Sequence, residues 1–171
     1  MKVKTPLCDF CLRSGILCVR CQEKLRSGEI SERDVQIARE LLRLSERYPS
    51  IQKVSFHKSY EVDDVIAILV DPGDLPHLLG YDGKVLKALS KVTGKKIRVL
   101  EKGASARKFL EDLLTPLNIA SLNKVWLPDG TTETKVILSG RPRRLPISIE
   151  TLRALAEKMR GMAVRVEFEA P

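Results

Sequence analysis

The second half of this chain repeats the first. Leu86, Ala88, Leu89, Gly94, Ile97 and Val99 have counterparts in Leu152, Ala154, Leu155, Gly161, Val164 and Val166, with one residue inserted before the second glycine. In both places an apolar helical pattern runs to a glycine stop and then into an alternating strand. A repeat of whole supersecondary units constrains a fold more than any single motif, because each copy must bury its own apolar face.

The patterns upstream of these segments complete the two copies. Ser31 followed by Asp34 is a helix-start signal, and Val35 to Arg47 places Val35, Ala38, Leu41, Leu42 and Ser45 on one helical face. Tyr48-Pro49 ends that helix. Val54 to Lys58 alternates as a strand and Asp64 to Val70 is an apolar run suited to a buried one. A short turn, Leu75 to Leu79, leads through Gly80-Tyr81-Asp82-Gly83 into a helix over 84–92, and 95–100 reads as a closing strand. The second copy follows with a helix over 104–114, strands over 119–127 and 134–139, a helix over 149–159 and a strand over 163–168. Two α+β units are expected, joined near Glu101-Lys102-Gly103.

Before them stand all four cysteines of the chain, as Cys8-x-x-Cys11 and Cys18-x-x-Cys21. Two such knuckles can close four thiolates around one tetrahedral ion, with sulfurs about 2.3 Å from Zn²⁺. One structural zinc is the expected cofactor. Four sulfur ligands close the coordination shell, so a substrate water has no position and zinc catalysis is not expected. A dithiol oxidoreductase would need its C-x-x-C beside a βαβ unit, and a zinc deaminase needs His-x-Glu before the pair; neither pattern occurs. Cations Arg13, Arg20, Lys24 and Arg26 surround the cysteines, so this module has two open roles, touching RNA or docking on protein. Expected boundaries are 1–30 for the metal module, 31–102 for the first α+β unit and 103–171 for the second.

Thirty Lys and Arg against 22 Asp and Glu give a formal charge of +8. That excess favours a polyanionic partner through counterion release and long-range attraction. No apolar run approaches the roughly 20 residues of a membrane span, the first residues lack the apolar stretch of a signal peptide, and the cysteine usage suits a reducing compartment. A cytoplasmic protein with no membrane partner is expected. His57 and His77 have no evident sequence partner, no nucleophile–base pair is legible, and neither a catalytic residue nor a small-molecule substrate is expected.

The Gly80-Tyr81-Asp82-Gly83 loop precedes a helix, whose first amides and positive end form a seat for phosphate. Glycines at both ends allow close backbone approach. With the following apolar helix, the Thr93-Gly94 stop and the Ile97-Arg98-Val99 strand, this segment resembles the KH domain in its type II arrangement. The tandem resembles the KH pair of archaeal NusA-like transcription factors, over about 35–168 and most strongly over 65–99. The resemblance implies two three-stranded sheets covered by helices. It also implies single-stranded RNA held in an apolar groove with its backbone clamped by the G-x-x-G loop.

Carried over by position, Gly80 and Gly83 admit the RNA backbone while Tyr81 and Asp82 present amides. Leu79, Val85 and Ile97 are candidates for the groove floor, though some of them must belong to the core. Lys84, Lys87, Lys95, Lys96 and Arg98 are candidate phosphate contacts. Asp82 departs from the often basic middle pair of KH loops; it either caps the next helix or repels phosphate. Tyr81 either stacks on a base or packs. The second copy replaces the loop with Gly140-Arg141-Pro142-Arg143-Arg144-Leu145-Pro146, whose prolines remove two amide donors. There Arg141, Arg143 and Arg144 are candidate guanidinium contacts to phosphate. The expected function is RNA binding on nascent transcripts, with RNA polymerase as the possible protein partner. The alternatives are a protein of the ribosomal small subunit or its assembly that binds rRNA, and an RNA-processing enzyme.

Overall fold

The computed structural model describes residues 3–170; Met1, Lys2 and Pro171, at the ends of the first and last expected segments, lie outside them. The fold is α+β, with two three-stranded sheets and the four cysteines gathered near the N-terminus. The chain divides into two compact units, residues 1–59 with 66–103, and residues 60–65 with 104–171.

The first unit begins with two short helices, α1 (Asp9–Ser14) and α2 (Val19–Ser27), whose N-caps are Cys8 and Cys18. Sequence periodicity does not reveal helices this short, and the cysteine spacing suggested only tight knuckles. The helix α3 (Glu32–Arg47) opens on a capping box, with Ser31 Oγ accepting from the Asp34 amide and the Asp34 carboxylate accepting from the Ser31 amide. Its buried face includes Val35, Ala38, Leu41 and Ser45 as expected, and adds Ile37 and Leu44. Leu42 is half-buried.

Strands β1 (Phe56–Val62) and β2 (Val65–Val70) meet across Asp63 and Asp64, and β3 (Lys96–Glu101) lies on the far side of β2. Central β2 is the apolar run Val65-Ile66-Ala67-Ile68-Leu69-Val70, and all but Leu69 are buried, as a strand covered on both faces requires. Helices α4 (Leu75–Leu79) and α5 (Lys84–Thr93) lie between β2 and β3 in sequence. Val3, Leu7, Cys11, Leu12, Cys21 and Ile30 belong to the same apolar cluster as Leu41, Ile66, Leu78 and Leu89. The cysteine segment therefore shares the core of this unit. A segment of about 25 residues cannot bury a sufficient core alone, which is why it shares a larger one.

The second unit has α6 (Ala106–Leu114), β4 (Ile119–Trp126), β5 (Thr132–Leu138), α7 (Ile149–Arg160) and β6 (Val164–Phe168). β5 is central, antiparallel to β4 and parallel to β6, with Val136 opposite both Leu122 and Val166. The parallel pair is joined through α7, as a parallel connection demands. Val136, Leu138, Leu152 and Leu155 are buried with Leu110 and Leu113 of α6, which places the core on one face of this sheet. Gly94 and Gly161, equivalent in the repeat, both adopt the left-handed conformation that ends α5 and α7. No helix among the described residues is long and apolar enough to cross a membrane.

Candidate functional site

The sulfur atoms of Cys8, Cys11, Cys18 and Cys21 all lie within 4.8 Å of one another. Cys8 Sγ is 3.3 Å from Cys11 Sγ and 4.0 Å from Cys18 Sγ. Four ligands at about 2.3 Å from one tetrahedral centre would be about 3.8 Å apart, so the set fits a single metal ion. Placing Cys8 and Cys18 at helix N-caps turns first-turn amides toward the cluster. The Cys18 amide donates to Cys11 Sγ at 3.0 Å, and the Cys21 amide donates to Cys18 Sγ at 3.5 Å.

These contacts divide the thiols. The hydrogen bond from the Cys21 amide, then that of Cys11, brings Cys18 down to about 6. Burial pushes Cys11 up to about 12. Cys8 is lowered by its hydrogen bonds with Cys11. A coordinated divalent ion would hold all four as thiolates, because it outweighs the local charges that separate them. Of the surrounding cations, Arg13 and Arg20 are exposed, Arg26 pairs with Glu23 at 2.8 Å, and Lys24 Nζ donates to the Pro6 carbonyl. Phe10, Ile16 and Val19, each within two residues of a cysteine, are exposed.

The Gly80–Gly83 loop joins α4 to α5. Gly80 is extended, and Tyr81, Asp82 and Gly83 then take three successive positive φ angles of 58°, 57° and 72°. For Tyr81 and Asp82 this left-handed geometry is uncommon, and such residues cluster at functional turns. Gly83 is the N-cap of α5 and no side chain caps that helix, so Asp82 does not play the capping role open to it from sequence. A Cβ at Gly83 would meet open space, which leaves room for a ligand backbone above the turn. Tyr81 packs: its ring lies 4.8 Å from that of Tyr48, and its hydroxyl accepts from the Ser50 amide at 3.4 Å. The Ser50 hydroxyl donates to the His77 carbonyl, tying α4 to the turn after α3.

Around this loop Lys84 and Lys87 are exposed on α5, and Lys96 is exposed at the start of β3. Lys95 is half-buried, and burial lowers the pKa of Arg98. Leu79 is exposed, Ile97 half-buried and Val85 fully buried, so Val85 belongs to the core and not to a groove floor. In the second unit Arg141, Arg143 and Arg144 are all exposed, but Arg143 folds back to donate to the Ser139 carbonyl at 2.8 Å.

No family model matches the chain, and no curated protein matches it. The chain is similar to a solved structure described as "Crystal structure of APE1850". The two share 20% identity, with 74% of this chain and 96% of that one covered, at a TM-score of 0.47.

Two features escaped sequence reading. His57 Nε2 contacts Asp71 Oδ1, so this histidine has a carboxylate partner, 14 residues away across the hairpin. Trp126, the one tryptophan of the chain, is 71% exposed at the end of β4. Strand alternation places Trp126 on the same face as Leu122, opposite buried Val136, so only the turn at Pro128 could have signalled its exposure.

Proposed function

We propose that this protein binds single-stranded RNA through a pair of type II KH-like units, the first of which carries the backbone clamp, and that one structural zinc occupies the four cysteines. The loop of three consecutive left-handed residues between Gly80 and Lys84 carries this reading. It opens α5 without a side-chain cap; the Gly83 and Lys84 amides donate to the Gly80 and Tyr81 carbonyls, and the positive helix end faces a phosphate across the open turn. Exposed Lys84 and Lys87 add charge beside it, and the formal charge of +8 adds long-range attraction. The parallel β5–β6 pairing and the recurrence of helix, glycine stop and strand are compatible with the type II arrangement.

The clamp acts by positioning. Amides and lysines hold the sugar-phosphate backbone, and bases lie toward the apolar side chains between α4, α5 and β3. Nothing in this role requires a catalytic group. The second unit, with two prolines in place of the loop, contributes surface instead of a clamp. We assign the protein to nascent RNA in transcription elongation or termination, as the NusA-like resemblance implies.

The deciding measurement is RNA affinity of the zinc-loaded chain, wild type against Gly80→Asp, together with crosslinking in the native cell and sequencing of the bound RNA. Recovery of nascent transcripts and an affinity loss of several-fold are expected. Stoichiometric recovery in salt-washed small ribosomal subunits would instead assign the protein to rRNA, and equal affinity of the two proteins would remove the loop from the mechanism.

A further inference from the structure

The two faces of the β4–β5–β6 sheet handle charge differently. On one face Glu133 pairs with Arg165 and Lys135 with Glu167, both at 2.8 Å. The other face carries Leu122, Lys124 and Trp126 of β4 opposite Val136, Thr134 and Thr132 of β5. Val136 is buried under the helices, whereas Lys124 and Trp126 extend past them and are exposed. Lys124 Nζ sits 5.4 Å from the centre of the Trp126 ring. Beside the pair is a hollow of about 470 Å³, lined by Leu122, Lys124, Thr134, Arg160 and Met162 among others. That size falls within the roughly 300–1,000 Å³ of small-ligand pockets, enough for a nucleotide.

Arg160 stacks its guanidinium over Phe109 at 5.2 Å and donates from Nη1 to the Ala104 carbonyl, which holds it in place at the rim. Neither Lys124 nor Arg160 has a carboxylate within ion-pair distance among the described residues. An exposed indole beside Lys124, at the edge of a hollow that Lys124 and Arg160 both line, fits one chemistry well: a flat aromatic group bearing negative charge. A protein segment would find an apolar anchor here, but two cations with no carboxylate within ion-pair distance favour a phosphodiester.

We infer that Trp126, Lys124 and Arg160 form a second contact for single-stranded RNA, in which one base stacks on the indole and the adjoining phosphates lie against the two cations. This contact rests on the RNA-binding reading above and assigns the second unit an active part that does not depend on its lost loop. It also supplies the stacking platform that the G-x-x-G clamp lacks. Base–aromatic stacking is tolerant of sequence, so the contact adds affinity more than base preference.

The test uses the full zinc-loaded chain and a single-stranded RNA of mixed sequence, about 16 nucleotides long. Affinity is followed by anisotropy of end-labelled RNA, and the indole by its own emission with unlabelled RNA. Because Trp126 is the only tryptophan, emission reports on this site alone. RNA should quench it, Trp126→Ala should weaken binding about tenfold, and Trp126→Phe should restore most of the loss. Lys124→Gln and Arg160→Gln should each reduce the slope of log affinity against log salt by about one. Binding of RNA with unchanged emission and an unaffected Trp126→Ala variant would overturn this contact while leaving the clamp intact. Absence of RNA binding by the wild type would overturn both. Emission that changes with protein concentration instead of RNA would mark a self-association surface and overturn the contact as well.

Discussion

The amide of Cys18 donates to the sulfur of Cys11, seven residues earlier, at 3.0 Å. One cysteine knuckle is thus tied to the other through a main-chain group, independently of any ion the four sulfurs would share. Cys11 and Cys21 are buried in the same cluster as Leu41 and Leu89, so the four-cysteine cluster is continuous with the core of the first unit.

Metal removal is therefore expected to destabilise that whole unit. An ion that binds only the folded chain contributes about 4 kcal/mol when present about 1,000-fold above its Kd. Chelation, or Cys11→Ser, should lower the melting temperature, and colorimetric release should recover one zinc per chain. A chelated protein that melts with the untreated one would show the cluster to be dispensable for folding.

The two glycines of the loop predict different outcomes. Gly80 is extended with φ near −63°, so Gly80→Asp should weaken RNA binding several-fold while leaving the melting temperature nearly unchanged. Gly83 has φ 72°, and an Asp there should cost about 1 kcal/mol of stability in addition to its effect on RNA. Comparing binding with urea midpoints separates the two effects. Wild-type affinity in Gly80→Asp would exclude close backbone approach at this end.

His57 and Asp71 make stability depend on pH. The hydrogen bond with His57 is the first cause holding the Asp71 carboxyl below its usual range. A carboxyl depressed in the folded state stabilises fully above its unfolded value of about 4, and that contribution fades as pH falls through the folded value. Asp71→Asn should lower the urea midpoint at neutral pH, and the gap between the two proteins should narrow as pH falls below about 4. A constant gap across that range would assign the effect to packing.

Asp34 is 1% exposed and accepts from the Ser59 amide at 2.7 Å and from its hydroxyl, joining the start of α3 to β1. Asp34→Ala removes the acceptor for these groups and for the Ser31 amide. Each buried group left unsatisfied costs about 1–3 kcal/mol, and a total near 3 kcal/mol is expected from denaturant unfolding. A loss below about 1 kcal/mol would mean that water replaces the carboxylate.

Most of the elements were legible because their signals are local. Ser31 and Asp34 mark the start of α3, Gly94 and Gly161 mark two helix ends, and the unbroken apolar run of β2 is a central strand. The four cysteines were legible as one site because two covalent spacings suffice to bring them together. The faces of elements were read less completely: Ile37 and Leu44 widen the buried stripe of α3, and Val85 leaves the expected groove for the core. Helices α1 and α2 were not legible at all, being held by the cluster and by burial instead of by propensity.

The sequence by itself determined the order of elements from α3 onward, the internal repeat and the four-cysteine cluster, all of which depend on neighbours within a few residues. Tertiary structure alone decided that Cys11 and Cys21 join the core of α3 and β2, that Tyr81 packs on Tyr48, that His57 meets Asp71, and that Trp126 stands exposed beside Lys124. Each of these depends on which surfaces chain folding brings together or leaves uncovered. Such pairings are set by the combined burial of many side chains, and no local pattern encodes them.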